Sequence, residues 1–134
     1  MDGPRIRVLC VDDSYLFTAT WERLLSRQAD MESAGTLESA DKLVETARGK
    51  QADVVLLDLT MHGRDPLDAL LELKQQCPDV KVVVCSGRSD RASYEKALQS
   101  GASGYVDKLD EPKRILETLR RVAGGEALAP PGNV

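Results

Sequence analysis

The feature that most restricts this chain is alternation: short apolar or β-branched runs, each followed by a stretch of helical period. That order belongs to a parallel sheet covered by helices. Its clearest member is Asp53 to Asp58, where Val54, Val55, Leu56 and Leu57 run without a polar break. Half-buried strands alternate apolar with polar, so an unbroken run marks a central strand covered on both faces. Arg5 to Val11 reads as a first strand and Met31 to Thr36 as a weaker second, interrupted by Gly35. Val80 to Cys85 gives a fourth strand and Ser103 to Val106 a short fifth.

The helices between them have their own signals. Ser14 can cap the first, with Leu16, Phe17, Trp21, Leu24 and Leu25 as its buried stripe. The second is expected from about Glu38 to Gly49, burying Ala40, Leu43, Val44 and Ala47, with Gly49 as its stop. Pro66 opens a third, through Gln76, where a missing N–H costs nothing. Ser89 or Asp90 starts a fourth, which Ser100-Gly101 ends. The last runs from Glu111 to Ala123 with Ile115, Leu116, Leu119 and Val122 inward. Right-handed crossovers leave few topologies for five βα units. The expected fold is an α/β three-layer sandwich, flavodoxin-like, with strand order 2-1-3-4-5. At 134 residues the chain makes one domain, over residues 1–123. Residues 124–134, with Pro130 and Pro131, read as a flexible tail or truncated linker.

A formal net charge of −4 is the wrong sign for a general nucleic-acid binder. No apolar run is of membrane-spanning length and the first residues lack the apolar core of a secretion signal, so a cytoplasmic protein is expected. The three cysteines form no CxxC pair or Cys/His cluster. Cys10 and Cys85 read as buried hydrophobes and Cys77 as a plain surface thiol.

In sheets of this order the ligand site lies beyond the carboxyl ends of the strands, near strands one and three. Asp12 and Asp13 follow the first strand, Asp58 the third, Ser86 the fourth and Lys108 the fifth. Three crowded carboxylates repel unless a cation shares the site. Hard oxygen ligands with room for water favour Mg²⁺, which would draw a phosphoryl donor toward Asp58. Lys108 and the Ser86 hydroxyl suit two of the phosphoryl oxygens. The set fits phosphoryl transfer to a carboxylate, giving an acyl phosphate.

Val-Asp-Asp-Ser (11–14), Val-Val-Leu-Leu-Asp-Leu-Thr-Met (54–61), Val-Val-Val-Cys-Ser-Gly (82–87) and Gly-Ala-Ser-Gly-Tyr-Val-Asp-Lys (101–108) together closely resemble the receiver domains of two-component response regulators. The resemblance runs from about Arg5 to Ala123. It implies that Asp58 accepts phosphate from a histidine kinase or histidine phosphotransfer protein. It also implies Mg²⁺ held directly by Asp13, Asp58 and the Thr60 carbonyl, with Asp12 reached through water. Ser86 and Lys108 match the phosphate-contacting hydroxyl and lysine. Ser86 and Tyr105 match a switch pair that passes the change to the fourth helix, fifth strand and fifth helix, where an effector protein or domain would read it. Such a chain is a signalling acceptor rather than an enzyme, although Mg²⁺-dependent self-phosphorylation and self-dephosphorylation are expected. It is expected to bind no nucleic acid or membrane directly, and self-association as a homodimer is compatible with it.

Two departures stand out. The loop after Asp58 reads Met61-His62-Gly63, where receivers commonly have Met-Pro-Gly, and Pro66 replaces a later Gly. This implies a less preorganised loop, with consequences for metal affinity or kinase recognition; His62 itself reads as an exposed loop residue. Leu109 stands where many receivers have proline, as in the helix-turn-helix regulators related to nitrate and nitrogen-fixation control. Arg88, two residues after Ser86, reads either as tuning the access of water to an acyl phosphate or as an ordinary exposed arginine. Two other functions compete. One is a receiver-fold interaction module that works without phosphorylation. The other is an aspartate-nucleophile phosphatase resembling the haloacid dehalogenases, which would need a second Asp where Thr60 stands.

Overall fold

The computed structural model describes residues 4–87 and 90–127. Five strands and five helices alternate: β1 (Ile6–Val11), α1 (Tyr15–Ser26), β2 (Met31–Leu37), α2 (Leu43–Gly49), β3 (Val54–Leu57), α3 (Pro66–Gln76), β4 (Lys81–Ser86), α4 (Arg91–Gln99), β5 (Gly104–Asp107) and α5 (Pro112–Ala123). The strands form one parallel sheet in the order β2-β1-β3-β4-β5. This is the expected flavodoxin-like sandwich.

Strand periodicity of two sorts the core into two layers. Leu9, Val11, Val55, Leu57, Val82, Val84 and Tyr105 face one side with Leu43, Leu70, Leu73 and Ala97 of α2, α3 and α4. Val8, Cys10, Val54, Leu56, Val83, Cys85 and Val106 face the other with α1 and α5, through Trp21, Leu25, Ile115 and Leu119. All four residues of β3 are buried, as the unbroken run requires. Burial pushes the Cys10 and Cys85 thiols upward, Cys85 to about 12, so both are inert hydrophobes. Cys77 is half-buried at the end of α3, packed against the core rather than plainly on the surface.

Four expectations need correction or refinement. Leu16 is 77% exposed, beside an exposed Tyr15. It lies one residue, hence about 100° of helix rotation, before the stripe of Phe17, Trp21 and Leu25 that reaches the sheet. β2 runs on through Gly35 to Leu37 because Ala34 is an extra residue: Val8 pairs with Ser33 and Leu9 with Gly35. Gly35 sits at φ +122, a value that tolerates glycine and little else. The second helix starts at Leu43 rather than Glu38. Ser39 and Asp41 turn their side-chain oxygens to nearby backbone N–H groups, which competes with helical pairing. Ala40 is fully buried all the same, through loop docking instead of helical period. The helix does end at Gly49, but the left-handed residue after it is Gln51, at φ 54.

The remaining caps follow the sequence. Ser14 accepts from the Phe17 N–H, Asp65 from Leu67 ahead of Pro66, and Asp90 from Ser93. Ser89, the other candidate for the last of these, lies outside the described residues, as do Arg88 and the tail from residue 128. No helix among the described residues is long and apolar enough to cross a membrane.

Candidate functional site

Parallel pairing carries the site residues to one edge. The Asp58 N–H donates to the Val11 carbonyl at 3.0 Å, and the Asp12 N–H to the Leu37 carbonyl at 2.9 Å. The Lys108 N–H donates to the Ser86 carbonyl at 2.9 Å. Asp12, Asp58, Ser86 and Lys108 thus stand beside one another because β2, β1, β3, β4 and β5 are in register. Asp13, one residue beyond Asp12, is exposed at the rim.

Asp12, Asp13 and Asp58 each bring a carboxylate oxygen to within 4.8 Å of the others. Two of the three are buried, Asp12 at 2% and Asp58 at 3% exposure. Lys108 is the cation among them, with its Nζ 2.7 Å from Asp12 Oδ2 and 3.8 Å from Asp58 Oδ2. Burial lowers the Lys108 pKa, but its hydrogen bond and charge contacts with Asp12 and Asp58 outweigh that and hold the ammonium above its ordinary value. The Phe17 ring lies under the same ammonium, 4.9 Å from centroid to Nζ. Phe17 was legible from sequence only as part of a packing stripe; nothing in its spacing signals a partner for Lys108.

One ammonium does not balance three carboxylates. The Asp58 carboxyl is pushed up to about 6, first by burial, then by the charge of Asp12 and less by Asp13; Lys108 and the Thr60 N–H pull the other way. Asp12 Oδ1 accepts the Ser14 N–H at 2.8 Å. Asp12 Oδ2 is buried against the Lys108 ammonium, 2.7 Å away. An all-oxygen cluster of three carboxylates answered by one ammonium fits a hard divalent cation such as Mg²⁺.

Ser86 is fully buried at the end of β4. Tyr105 is buried too; hydrogen bonds with Ser86 and Ser93 partly offset the burial that raises its phenol pKa. Its ring meets Tyr94 of α4 edge-on at 5.9 Å. Ser86 therefore links the acid cluster's edge to the face of α4. Thr60 and His62 are exposed in the loop after Asp58, and His62 lines a cleft of about 640 Å³ with Asp13, Ser39, Asp41 and Lys42.

Residues 8–120 match the family model of the response regulator receiver domain. The transcriptional regulatory protein DegU of Brevibacillus brevis is 32% identical over 95% of this chain, which spans only 54% of that protein. The chemotaxis protein CheY of Thermotoga maritima is 30% identical over 87% of this chain and 97% of its own length. Among solved structures, the signal receiver domain of the putative response regulator NarL from Mycobacterium tuberculosis superposes with a TM-score of 0.87 at 26% identity, covering 92% of this chain and all of that one. The chain thus spans about half of its transcriptional relative and nearly all of its chemotaxis relative. With the sheet order and the strand-end acids in place, it belongs to the response regulator receiver domain family.

Proposed function

We propose that this domain is a phosphorylatable switch whose acceptor is Asp58. The observation that carries the reading is the charge imbalance: three carboxylates within 4.8 Å, one of them at the end of the central strand, opposed by Lys108. Added cationic charge relieves that repulsion, and the site offers a carboxylate nucleophile beside it. Asp12, Asp13, Asp58 and the Thr60 carbonyl would hold Mg²⁺. When bound, the cation would neutralise charge on the phosphoryl oxygens.

In the proposed transfer, an Asp58 oxygen attacks the phosphorus of a phosphohistidine on a histidine kinase or phosphotransfer protein. The new O–P bond forms as the N–P bond breaks, and the released imidazole keeps the bonding pair and takes up a proton. Lys108 and Ser86 bind two oxygens of the phosphoryl group. Exposed Tyr15, Leu16 and Leu109 flank this edge on α1 and the loop after Lys108, and would meet an apolar surface of the donor protein. The Ser86–Tyr105–Ser93 link then biases α4, β5 and α5, which would be read by an effector protein or attached domain. The setting is cytoplasmic, where kinases of this kind present their phosphohistidine. The proposed boundary puts the receiver domain at 1–123 and a tail or linker at 124–134.

Incubation with Mg²⁺ and a small-molecule phosphodonor tests the reading. Wild type should gain one phosphoryl group by intact mass, and Asp58→Asn none. No gain in wild type would instead favour a receiver-fold interaction module. A phosphoryl analogue that left amide shifts of α4, β5 and α5 unmoved would remove the switch while leaving the acceptor.

A further inference from the structure

Segment 38–42, between β2 and α2, does something its own helix does not require. α2 has Lys42 at its N-cap, with no side-chain hydrogen bond to its first turn. Asp41, one residue before, is a residue type well suited to capping. Its carboxylate instead leaves the helix and accepts the Arg64 N–H at 2.8 Å, across to the loop that follows Asp58. Gly63 in that loop is at φ +89, and a Cβ there would stand 2.8 Å from Asp41 Oδ1. The contact is thus close on both sides of the 63–64 peptide.

The anchor behind Asp41 is firm. Ala40 is fully buried, and Leu59 and Met61 of the acceptor loop pack partly against the same core cluster. The residue just before the segment, Leu37 at the end of β2, accepts the Asp12 N–H through its carbonyl. The short stretch 37–41 therefore touches Asp12 at its start and the acceptor loop at its end. On its far side, Arg64 reaches Glu72 at 2.6 Å and the Asp68 carbonyl, so the loop is tied down from α3 as well.

We propose that Asp41 is a positioning residue: its carboxylate braces Gly63–Arg64 and so fixes the loop that presents the Thr60 carbonyl to Mg²⁺ beside Asp58. This rests on the reading of Asp58 as acceptor. It substitutes an external brace for the preorganisation that this loop's own sequence lacks. The relevant atom is the hydrogen-bond acceptor rather than the charge, because the partner is a neutral backbone N–H.

The test compares Asp41→Ala with Asp41→Asn in the full chain. Asp41 is exposed, so neither change should threaten the fold. Three quantities are read: amide exchange at Gly63 and Arg64 without metal, Mg²⁺ affinity by calorimetry, and the rate of Asp58 phosphorylation by acetyl phosphate. Losing one hydrogen bond predicts about five- to tenfold faster exchange at Arg64 and about three- to tenfold weaker Mg²⁺ binding for Asp41→Ala. Asp41→Asn, which keeps an Oδ1 acceptor, should stay within about twofold of wild type on both. Unchanged values in Asp41→Ala overturn the proposal. Equal impairment in the two variants also overturns it, because charge would then be the cause. A wild type with no measurable Mg²⁺ affinity overturns it as well, since nothing would be positioned. Failure of wild type to take up phosphate would sink the acceptor reading alone, while exchange and Mg²⁺ affinity still decide the role of Asp41.

Discussion

The strand-end residues and the loop after Asp58 belong to one site, yet different forces hold them. Asp12, Asp58, Ser86 and Lys108 are fixed by backbone pairing in the sheet, over core layers buried on both faces. The loop 59–65 has no ladder of its own. It is held by Asp41 from one side, by the Arg64–Glu72 ion pair from another, and by the Asp65 cap on α3. The sheet sets which groups meet, and the loop contacts set how one ligand group is presented.

If that division is right, substitutions should rank by how deep in the sheet they fall. Leu57→Ala, in the fully buried central strand, should lose about 3 kcal/mol in chemical denaturation, from lost burial and the cavity left behind. A loss near zero would mean that β3 does not anchor the acceptor.

The next effect has the opposite sign. Asp58 has a raised pKa in the folded chain, so its protonated form favours folding and its ionised form opposes it. Stability from this group is fully present below the ordinary value of 3.8 and is lost as pH rises through about 6. Asp58→Asn should therefore stabilise the metal-free chain at pH 7 by roughly 1–2 kcal/mol, after allowing for solvent screening at the open side of the site. The gain should vanish below pH 4, as followed by denaturation at both pH values. An equal gain at both would show that the carboxylates are not in conflict.

Loop changes should be smaller. Gly63→Ala meets a positive φ and the Asp41 carboxylate, and should cost about 1 kcal/mol with weakened Mg²⁺ binding. His62→Ala, at an exposed position, should stay within about 0.5 kcal/mol. A larger cost at His62 than at Gly63 would place the loop's support on the wrong residue.

What could be read from sequence follows the same line. Val54–Leu57 announces a central strand because burial on both faces leaves no polar position, and Pro66 announces a helix start because its φ and missing N–H suit one. With five such elements in order, the convergence of Asp12, Asp58, Ser86 and Lys108 follows from topology. The exposure of Leu16 was misread because apolar type alone does not fix helix phase. The late start of α2 was hidden because Ser39 and Asp41 have partners in the loop and the neighbouring turn, and Asp41's is over twenty residues away in sequence. The loop after Asp58 reads as less preorganised for the same reason: its brace lies in another segment. Phe17 under Lys108 is likewise a tertiary contact with no local mark.

The most direct measurement is where the phosphoryl group goes. The chain is incubated with Mg²⁺ and acetyl phosphate, then treated with hydroxylamine, which converts an acyl phosphate to a hydroxamate and releases phosphate. Peptide mass mapping should find the hydroxamate at Asp58 alone. A hydroxamate at Asp12 or Asp13, or none in a chain that binds Mg²⁺, would contradict the assignment of the acceptor.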